Sequence, residues 1–234
     1  MTGSPDISLM KLGNNLHEWI RKYGSPLLVL DCDVLRKQYR QLKQSLPQVD
    51  LFFAIKSLPH ETAISVLHKE GCHFDIASQG EVKLLEKESI PATKTIHTHP
   101  IKRDIDIRAT LRFGCTTFVI DNPSELEKFI RYKERVGILL RLNFSNPEAV
   151  VNLSKKFGLP INEAPEIINK AVEAGIHIKG LSFHVGSQSK QPDSHVEAIK
   201  KCKEIIENSR MNHDIPMSVL DIGGGFPINY DGTD

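Results

Sequence analysis

Short apolar runs alternate with longer amphipathic segments along the chain from about residue 25 to its end. The runs are rich in β-branched and aromatic residues, as buried strands are, and each is followed by apolar residues at helical spacing. In the first helical segment Leu35, Tyr39 and Leu42 have that spacing, and Pro47 ends it. The predicted strands lie in 25–31, 49–57, 72–78, 94–100, 116–122, 136–144, 176–186 and 217–226, and the later helices at 61–69, 80–88, 104–113, 124–132, 163–174 and 193–208.

This alternation predicts a parallel sheet covered by helices, because strands that are apolar on both faces need cover on both. Seven strand candidates follow from 49–57 onward, which suits either a (β/α)8 barrel or a doubly wound open sheet. Polar residues end almost every run, and the carboxyl ends of barrel strands meet at one mouth, where barrel enzymes carry out their chemistry. These residues are Lys56, Ser78, His99, Asp121, Arg141, His184 and the glycines after Asp221. Their common position favours the barrel.

The composition is that of an ordinary soluble globular protein, with 234 residues, 40% hydrophobic residues and a formal net charge of +1. This near-neutral balance argues against nucleic acid or an anionic membrane surface as a partner. The apolar stretches are too short to cross a bilayer, and the N-terminus lacks the order of a secretory signal. The four cysteines are scattered without a CxxC pair, which indicates free thiols in a reducing cytoplasm.

Lys56 directly follows the apolar run LFFAI. A buried ammonium is costly, so such a lysine needs an anion, a route to solvent or a covalent bond. At a barrel mouth a desolvated lysine has a lowered pKa and is a good nucleophile for a Schiff base. On position alone, a lysine that simply reaches solvent is the plainer interpretation.

Two glycine-containing loops are candidate phosphate sites. Gly223–Gly225 follow an apolar run, and consecutive glycines let an anion approach backbone N–H groups closely. Gly186 and Ser187 offer a second such backbone with a hydroxyl. A flexible turn is the alternative for the triglycine segment, and without a GxGxxG pattern it does not support NAD. His184, at the end of the preceding strand run, is as a lone residue more often structural than catalytic.

The remaining candidates are weaker. Asp75, Glu81 and Arg141 could each be half of an ion pair that shapes the barrel top. His97 and His99 share a strand face and could chelate a metal, but no third ligand has convincing spacing, so no metal site is predicted. Together, a lysine able to form an imine, a histidine and two phosphate-competent loops suit an aldehyde-bearing phosphorylated cofactor.

Several segments resemble the ornithine/diaminopimelate decarboxylase family, which belongs to the alanine-racemase-like (fold type III) enzymes that depend on pyridoxal 5'-phosphate. The resemblance runs from about residue 25 and implies a barrel over 31–234, with 1–30 as a lead-in associated with a β-sheet domain. The matching segments, in the family's order, are FFAIKS, HFDIASQGEV, HPIKRDIDIRATLRFG, FVIDNPSEL, LLRLNF, LSKKFG, GLSFHVGSQ and DIGGGFP.

The resemblance also implies roles for individual residues. Lys56 would bind the cofactor's aldehyde, His184 would stack on the pyridine ring, and Ser187 and Gly225 would bind the phosphate. Catalytic roles fall to Lys56 and His184. The further residues that would shape the phosphate loop or line the cofactor site are Gly223, Gly224, Asp75, Glu81 and Arg141.

The activity that the resemblance implies is decarboxylation of a basic amino acid. SFHVGSQ, LSKKFG and HPIKRDIDIRA look more like the ornithine branch, which implies L-ornithine as substrate, putrescine and CO₂ as products, and a role in polyamine biosynthesis. The implied protein is a homodimer when complete, and the cysteine pattern and the N-terminus indicate a cytoplasmic location. Alternatives are a diaminopimelate or other amino-acid decarboxylase, a non-catalytic barrel protein that binds the cofactor, and an inactive homologue of the antizyme-inhibitor kind.

The chain departs from the family pattern after Pro227, where only INYDGTD remains. Family members continue to an eighth strand with an EPGR-type motif. A β-sheet domain then supplies a cysteine and substrate-binding acids to the partner subunit. The expectation is therefore an incomplete barrel, without its eighth strand and β-domain, that does not decarboxylate by itself.

Overall fold

Seven parallel strands form one sheet in the order of the sequence. They were identified in a computed structural model of the chain, which describes residues 7–146, 149–151 and 156–229. The strands are β1 (Phe52–Ala54), β2 (His73–Ile76), β3 (Thr95–His97), β4 (Thr117–Ile120), β5 (Gly137–Leu142), β6 (His177–Phe183) and β7 (Val219–Asp221). Each strand pairs in parallel with its sequence neighbour. Parallel neighbours require a crossover segment between them, which is what the helical stretches of the sequence supply.

Eight α-helices accompany the strands within the described part of the chain. They are α1 (Ile7–Tyr23), α2 (Cys32–Ser45), α3 (Glu61–Lys69), α4 (Gln79–Lys87), α5 (Asp104–Phe113), α6 (Pro123–Phe129), α7 (Ala164–Glu173) and α8 (Asp193–His213). The predicted bounds of α3 and α5 are confirmed to the residue. In this described portion, none of the helices combines the length and the apolar character needed to cross a membrane.

The sheet is curled, and its two faces have different neighbours. Ile96, Val119 and Leu139 form one buried cluster on the inner face, and Val219 packs against it. Residues from β3 and β7, four strands apart, can share a cluster only if the sheet bends round on itself. The outer face carries the larger core, in which strand residues such as Phe118 pack with residues of the helices.

This architecture confirms the predicted incomplete (β/α) barrel. Among the described residues, β1 and β7 each pair with one neighbouring strand only. A groove of about 440 Å³ lies beside β1, between α2 and the segment Phe226–Ile228. The arrangement is a seven-stranded half-barrel with helices on its outer face.

Local side chains explain why two helices begin directly after their strands. The Ser78 hydroxyl accepts a hydrogen bond from the Glu81 amide at the start of α4, at 3.4 Å. The Asn122 side chain accepts one from the Glu125 amide at the start of α6, at 3.0 Å, and Pro123 occupies the first turn. These caps begin a helix directly after β2 and after β4, so both strands end at the same edge of the sheet, which is the mouth.

The prediction of a strand at 25–31 is wrong. The segment begins with a bend at Ser25–Pro26 and belongs to no ladder, and Leu28 is 93% exposed. A strand needs a neighbour to satisfy its backbone groups, and no described strand lies alongside this segment. The helix α1 (Ile7–Tyr23) was not predicted at all.

Candidate functional site

Lys56 lies in a short 3₁₀ turn, Ile55–Ser57, that follows β1 at the mouth. The expectation of a desolvated lysine is not met, because the side chain is exposed at the end of an edge strand. Its positive charge nevertheless favours a lower pKa at Asp75, at Glu81 and at His184. The amine is thus accessible and close enough to these three groups to influence their pKa values.

Asp75 on β2 is the most strongly perturbed carboxyl group of the mouth. Burial raises its pKa to about 7, against the hydrogen bonds from Thr98 and the charge of Lys56. The Thr98 amide donates to Oδ1 at 3.0 Å, and the Thr98 hydroxyl lies 2.7 Å from both carboxyl oxygens. These bonds hold the carboxyl group in one orientation beneath the mouth.

Arg141 on β5 is the central cation of the strand ends. Burial lowers its pKa, whereas the charges of Asp121, Asp221 and Asp75 act in the opposite direction. Its guanidinium carbon lies 5.1 Å from the centre of the Phe157 ring. Three acidic side chains therefore act together on the pKa of Arg141, from Asp75 on β2, from Asp121 directly after β4 and from Asp221 on β7.

Glu81 stabilises the turn between β2 and α4. Its carboxylate accepts from the Ala77 amide at 2.7 Å and lies 3.3 Å from the Ser78 hydroxyl. Burial raises its pKa, and the Ala77 and Ser78 bonds oppose that shift. The reciprocal Ser78 and Glu81 contacts are close to a capping box, so the residue has a clear structural task.

His184 is a neutral ring beside the triglycine segment. Burial lowers its pKa to about 4, helped by the charges of Arg141 and Lys56. Its Nδ1 accepts a hydrogen bond from the Gly186 amide at 3.0 Å, so the ring hydrogen is on Nε2. A Cβ added at Gly224 would lie 3.7 Å from Nε2, which places the imidazole directly against the glycines.

The triglycine segment is pressed against the loop that follows β6. A Cβ on Gly225 would lie 1.9 Å from the Gly186 carbonyl oxygen, and one on Gly223 would lie 2.4 Å from the Phe183 carbonyl oxygen. Both glycines have positive φ, +92° and +67°. Only glycine fits at these two positions, so the two candidate phosphate loops form one continuous backbone surface.

Ser187 lies within this surface. Its amide donates to the Val151 carbonyl and its carbonyl accepts from the Val150 amide, both at 3.1 Å. Two residues further on, the Ser189 amide donates to the Gly225 carbonyl at 2.8 Å. Ser187 is therefore flanked on both sides by residues that touch Gly225.

Asp221 is a site residue beyond those predicted from the sequence. Its Oδ1 accepts from the Gly223 amide at 2.9 Å and its Oδ2 from the Ser182 hydroxyl at 2.7 Å. An aspartate two residues before a glycine at a strand end is a known turn signal, which could have found it. The Thr98 bonds to Asp75 carried no comparable signal, because they join residues 23 positions apart.

A second lysine near the mouth, Lys102, is not available for chemistry. Its side chain is buried, and Nζ donates to the carbonyls of Val119 and Pro100 at 2.6 and 2.9 Å, with Glu125 at 3.2 Å. Burial lowers its pKa to about 8, against the charge of Glu125. With its donors engaged in this way, Lys102 joins the β3 and β4 ends, whereas Lys56 is exposed.

His97 and His99 do not converge on a common ligand. His97 Nδ1 lies 3.1 Å from the Thr110 hydroxyl in the helical layer, whereas His99 Nδ1 lies 2.6 Å from the Ile101 carbonyl. Within the ranges that the structure describes, no group of three histidine, cysteine or acidic residues is placed to hold a metal. Residues 153–155 of the LSKKFG segment lie outside those ranges.

Fold and site together define an α/β-barrel protein whose mouth joins an accessible lysine to a neutral histidine and a glycine backbone surface. Residues 32–234 match the family described as the pyridoxal-binding domain of pyridoxal-dependent decarboxylases. The chain belongs to this family, as the resemblance implied.

Named relatives agree with the family match. The chain is 32% identical over 208 residues to a lysine/ornithine decarboxylase of Selenomonas ruminantium, covering 89% of this chain and 53% of that protein. A crystal structure of lysine/ornithine decarboxylase from Vibrio vulnificus, complexed with putrescine, has a TM-score of 0.86 and 50% identity, covering 93% of this chain and 57% of that one. The arginine decarboxylase of Paramecium bursaria Chlorella virus, bound to agmatine, has a TM-score of 0.86 and 26% identity, covering 94% of this chain and 60% of that one. The chain spans about half the length of the curated relatives it matches.

Proposed function

We propose that this chain is the cofactor-binding barrel of a pyridoxal-phosphate-dependent decarboxylase of basic amino acids, with Lys56 as the residue that binds the cofactor's aldehyde. The observation that carries the proposal is the continuity of the mouth. The charge of the Lys56 amine lowers the pKa of His184, and the His184 ring lies against Gly224 and Gly225. In order along the mouth, Lys56 can therefore bind an aldehyde, His184 can pack on a ring, and the backbone of Gly224 and Gly225 can bind a phosphate.

The residues present fit pyridoxal phosphate on structural grounds. A side chain at Gly223 or Gly225 would fill the backbone surface, so the surface suits a group that approaches main-chain amides. His184 is flat and neutral, and its ring can pack against an aromatic cofactor without adding charge. Lys56 is exposed, whereas the nearby Lys102 is buried and engaged.

When bound, pyridoxal phosphate supplies a conjugated ring that accepts the electrons of the bond to the departing carboxylate. The chain's own residues would bind the cofactor and orient it. Ser187 and Gly225 would grip the phosphate, and Lys56 would hold the opposite end of the cofactor. Asp75 and Arg141, fixed by Thr98 and by the surrounding carboxylates, would keep the walls of the site rigid.

For the substrate, we propose L-ornithine, with putrescine and CO₂ as products and a place in polyamine biosynthesis. The Vibrio vulnificus structures, one complexed with putrescine and one with cadaverine, support a diamine product and make L-lysine a second candidate. An ornithine decarboxylase of Caenorhabditis elegans, 30% identical over 209 residues, supports ornithine. The homodimer stays a prediction of the resemblance, and the cytoplasmic location stays a prediction from the cysteine pattern and the N-terminus.

The assignment of Lys56 is tested by trapping the cofactor. The chain is saturated with pyridoxal phosphate, reduced with borohydride and digested, and the modified peptide is identified by mass spectrometry. We expect the adduct on the peptide that contains Lys56 and its loss in Lys56→Arg, which keeps the positive charge. Lys69→Arg is the matched control, because Lys69 is also exposed but lies in the last turn of α3, and it should leave the adduct in place. An adduct on any other lysine would show that the site is elsewhere.

The substrate is tested with kcat/KM in a protein of the relatives' full length that carries these 234 residues. We expect L-ornithine to have the highest kcat/KM, L-lysine a lower one and meso-diaminopimelate the lowest. A preference for lysine would replace ornithine but keep the class of basic amino acids. A preference for diaminopimelate would overturn both statements.

A further inference from the structure

The triglycine segment contacts helix α8 as well as the loop after β6. His195, in the first turn of α8, lies with Nε2 3.3 Å from the carbonyl oxygen of Gly224. Its ring stacks on Phe226, with ring centres 5.0 Å apart and planes 6° apart. The contact therefore has a polar part and an apolar part, and different substitutions can remove one without the other.

The polar part of the contact has a defined direction. A carbonyl oxygen only accepts, so the ring hydrogen must be on Nε2 and the imidazole must donate. Burial lowers the pKa of His195, against the effect of this same hydrogen bond. At neutral pH the ring is therefore an uncharged donor to the Gly224 carbonyl.

A planar peptide transmits this contact to the next amide. The Gly224 carbonyl and the Gly225 N–H belong to one trans peptide unit and point in opposite directions. Among the described residues only Ser25–Pro26 is cis, so this geometry holds at Gly224–Gly225. Since His195 holds the carbonyl on the side of α8, the Gly225 N–H points away from the helical layer.

The neighbouring peptides are held in similar ways. The Ser189 amide donates to the Gly225 carbonyl at 2.8 Å, which turns the Phe226 N–H away from Ser189. The Asp221 carboxylate accepts a hydrogen bond from the Gly223 amide at 2.9 Å. Within the described part of the chain, the Gly225 and Phe226 amides donate to no protein acceptor. The segment therefore presents two oriented donors.

We propose that His195 is a positioning residue that orients the Gly224–Gly225 peptide and so presents the Gly225 amide to a phosphate group. The inference rests on the proposed function, in which that phosphate belongs to pyridoxal phosphate. His195 acts through the backbone and from outside the barrel mouth. It holds the outer side of the segment while His184 and Gly186 hold the inner side.

Two substitutions separate the donor from the ring. His195→Phe keeps an aromatic ring to stack on Phe226 and removes the donor. His195→Gln removes the ring and keeps an N–H donor of nearly the same reach. His177→Phe is the matched control, because His177 is exposed at the first residue of β6, the end of the sheet opposite the mouth.

Nuclear magnetic resonance reports on the amide directly, with inorganic phosphate as the probe. Gly224 and Gly225 are the only glycines that follow a glycine among the 15 in the chain. Glycine labelled with carbonyl ¹³C and amide ¹⁵N therefore selects these two amides alone. We expect phosphate to shift the Gly225 signal in the wild type, in His195→Gln and in His177→Phe. His195→Phe should bind phosphate about 3- to 10-fold more weakly, the value of one ordinary hydrogen bond.

A comparison of pyridoxal phosphate with pyridoxal extends the test to the cofactor. His195→Phe should bind pyridoxal phosphate about 3- to 10-fold more weakly, as one lost hydrogen bond implies, and bind pyridoxal as the wild type does. A general structural defect would weaken both ligands equally and would overturn the proposal. Unchanged phosphate affinity in His195→Phe would also overturn it. If His195→Phe does not fold, a loss of phosphate affinity in His195→Gln decides against it.

The same data separate this inference from the proposed function. If phosphate shifts Gly225 normally but pyridoxal phosphate forms no adduct on Lys56, the proposed function fails and the role of His195 stands as that of an anion site. If phosphate leaves the wild-type Gly225 signal unchanged, the segment does not bind phosphate and the role of His195 fails.

Discussion

Substitution of Gly225 should separate the strain of a backbone conformation from the shape of the site. Gly225 has a φ of +92°, and an alanine Cβ there would lie 1.9 Å from the Gly186 carbonyl oxygen. Gly71 offers a matched control, because its φ is +91° and nothing lies within 4 Å of an added Cβ. The two alanine variants share the same conformational cost and differ in the collision.

The magnitudes follow from this difference. A non-glycine residue with positive φ costs about 1–2 kcal/mol, so Gly71→Ala should lower the free energy of unfolding by that amount. Gly225→Ala should lower it at least as much. The alanine must also separate from Gly186 by roughly 1.5 Å to reach an ordinary contact. That movement disturbs the Ser189 bond to the Gly225 carbonyl and misplaces the amides. Loss of one hydrogen bond to a charged phosphate weakens binding roughly 10- to 100-fold.

Two assays on the same proteins decide the outcome. Urea unfolding gives the loss of stability from the midpoint at constant slope. Titration with pyridoxal phosphate gives the affinity, which we expect to be unchanged in Gly71→Ala and weakened in Gly225→Ala. If Gly225→Ala binds pyridoxal phosphate as tightly as the wild type, the close approach of the two loops is not what shapes the site.

Two further results are expected. The 234-residue chain, saturated with pyridoxal phosphate, should release CO₂ from ornithine well below the usual enzymatic range of ~1–10³ per second. The reason is that the chain spans about half the length of its relatives and that β1 and β7 have one described neighbour each. Turnover in that range would contradict the half-barrel interpretation. Burial lowers the pKa of His97 to about 3, from an ordinary value of 6.5. Between these two pH values the unfolded chain binds a proton at His97 and the folded chain does not. The free energy of unfolding therefore decreases as the pH falls through this range. In His97→Phe the loss of unfolding free energy between pH 6.5 and about pH 4 should be smaller by roughly 1–3 kcal/mol, and an identical pH profile would show that His97 does not titrate in this way.

Much of the fold could be predicted from local patterns in the sequence. The seven runs from 49–57 onward each contain a strand, and the helix at Glu61–Lys69 has the predicted bounds. Signals of this kind act over a few residues, as the Ser78 and Asn122 caps do. The run at 25–31 shows the limit of such signals, because β-rich composition makes no strand without a neighbour.

The position of the mouth was also predictable, since the carboxyl ends of parallel strands must meet. Lys56, Asp75, Arg141 and His184 were brought to one edge as expected. Their electrostatic states were not predictable. The pKa of Asp75 near 7 depends on burial and on Asp221 from β7, and the exposure of Lys56 depends on its place at the sheet edge.

By itself, the sequence determined the order of strands and helices, the common edge of the candidate residues and the family to which they point. Each of these depends on spacing along the chain or on neighbouring residues. Only the tertiary structure decided that Lys102 is engaged, that Gly225 touches Gly186, and that His195 holds the Gly224 carbonyl 29 residues away. These contacts join distant segments, and no periodicity in a single sequence records which distant segments come together when the sheet curls.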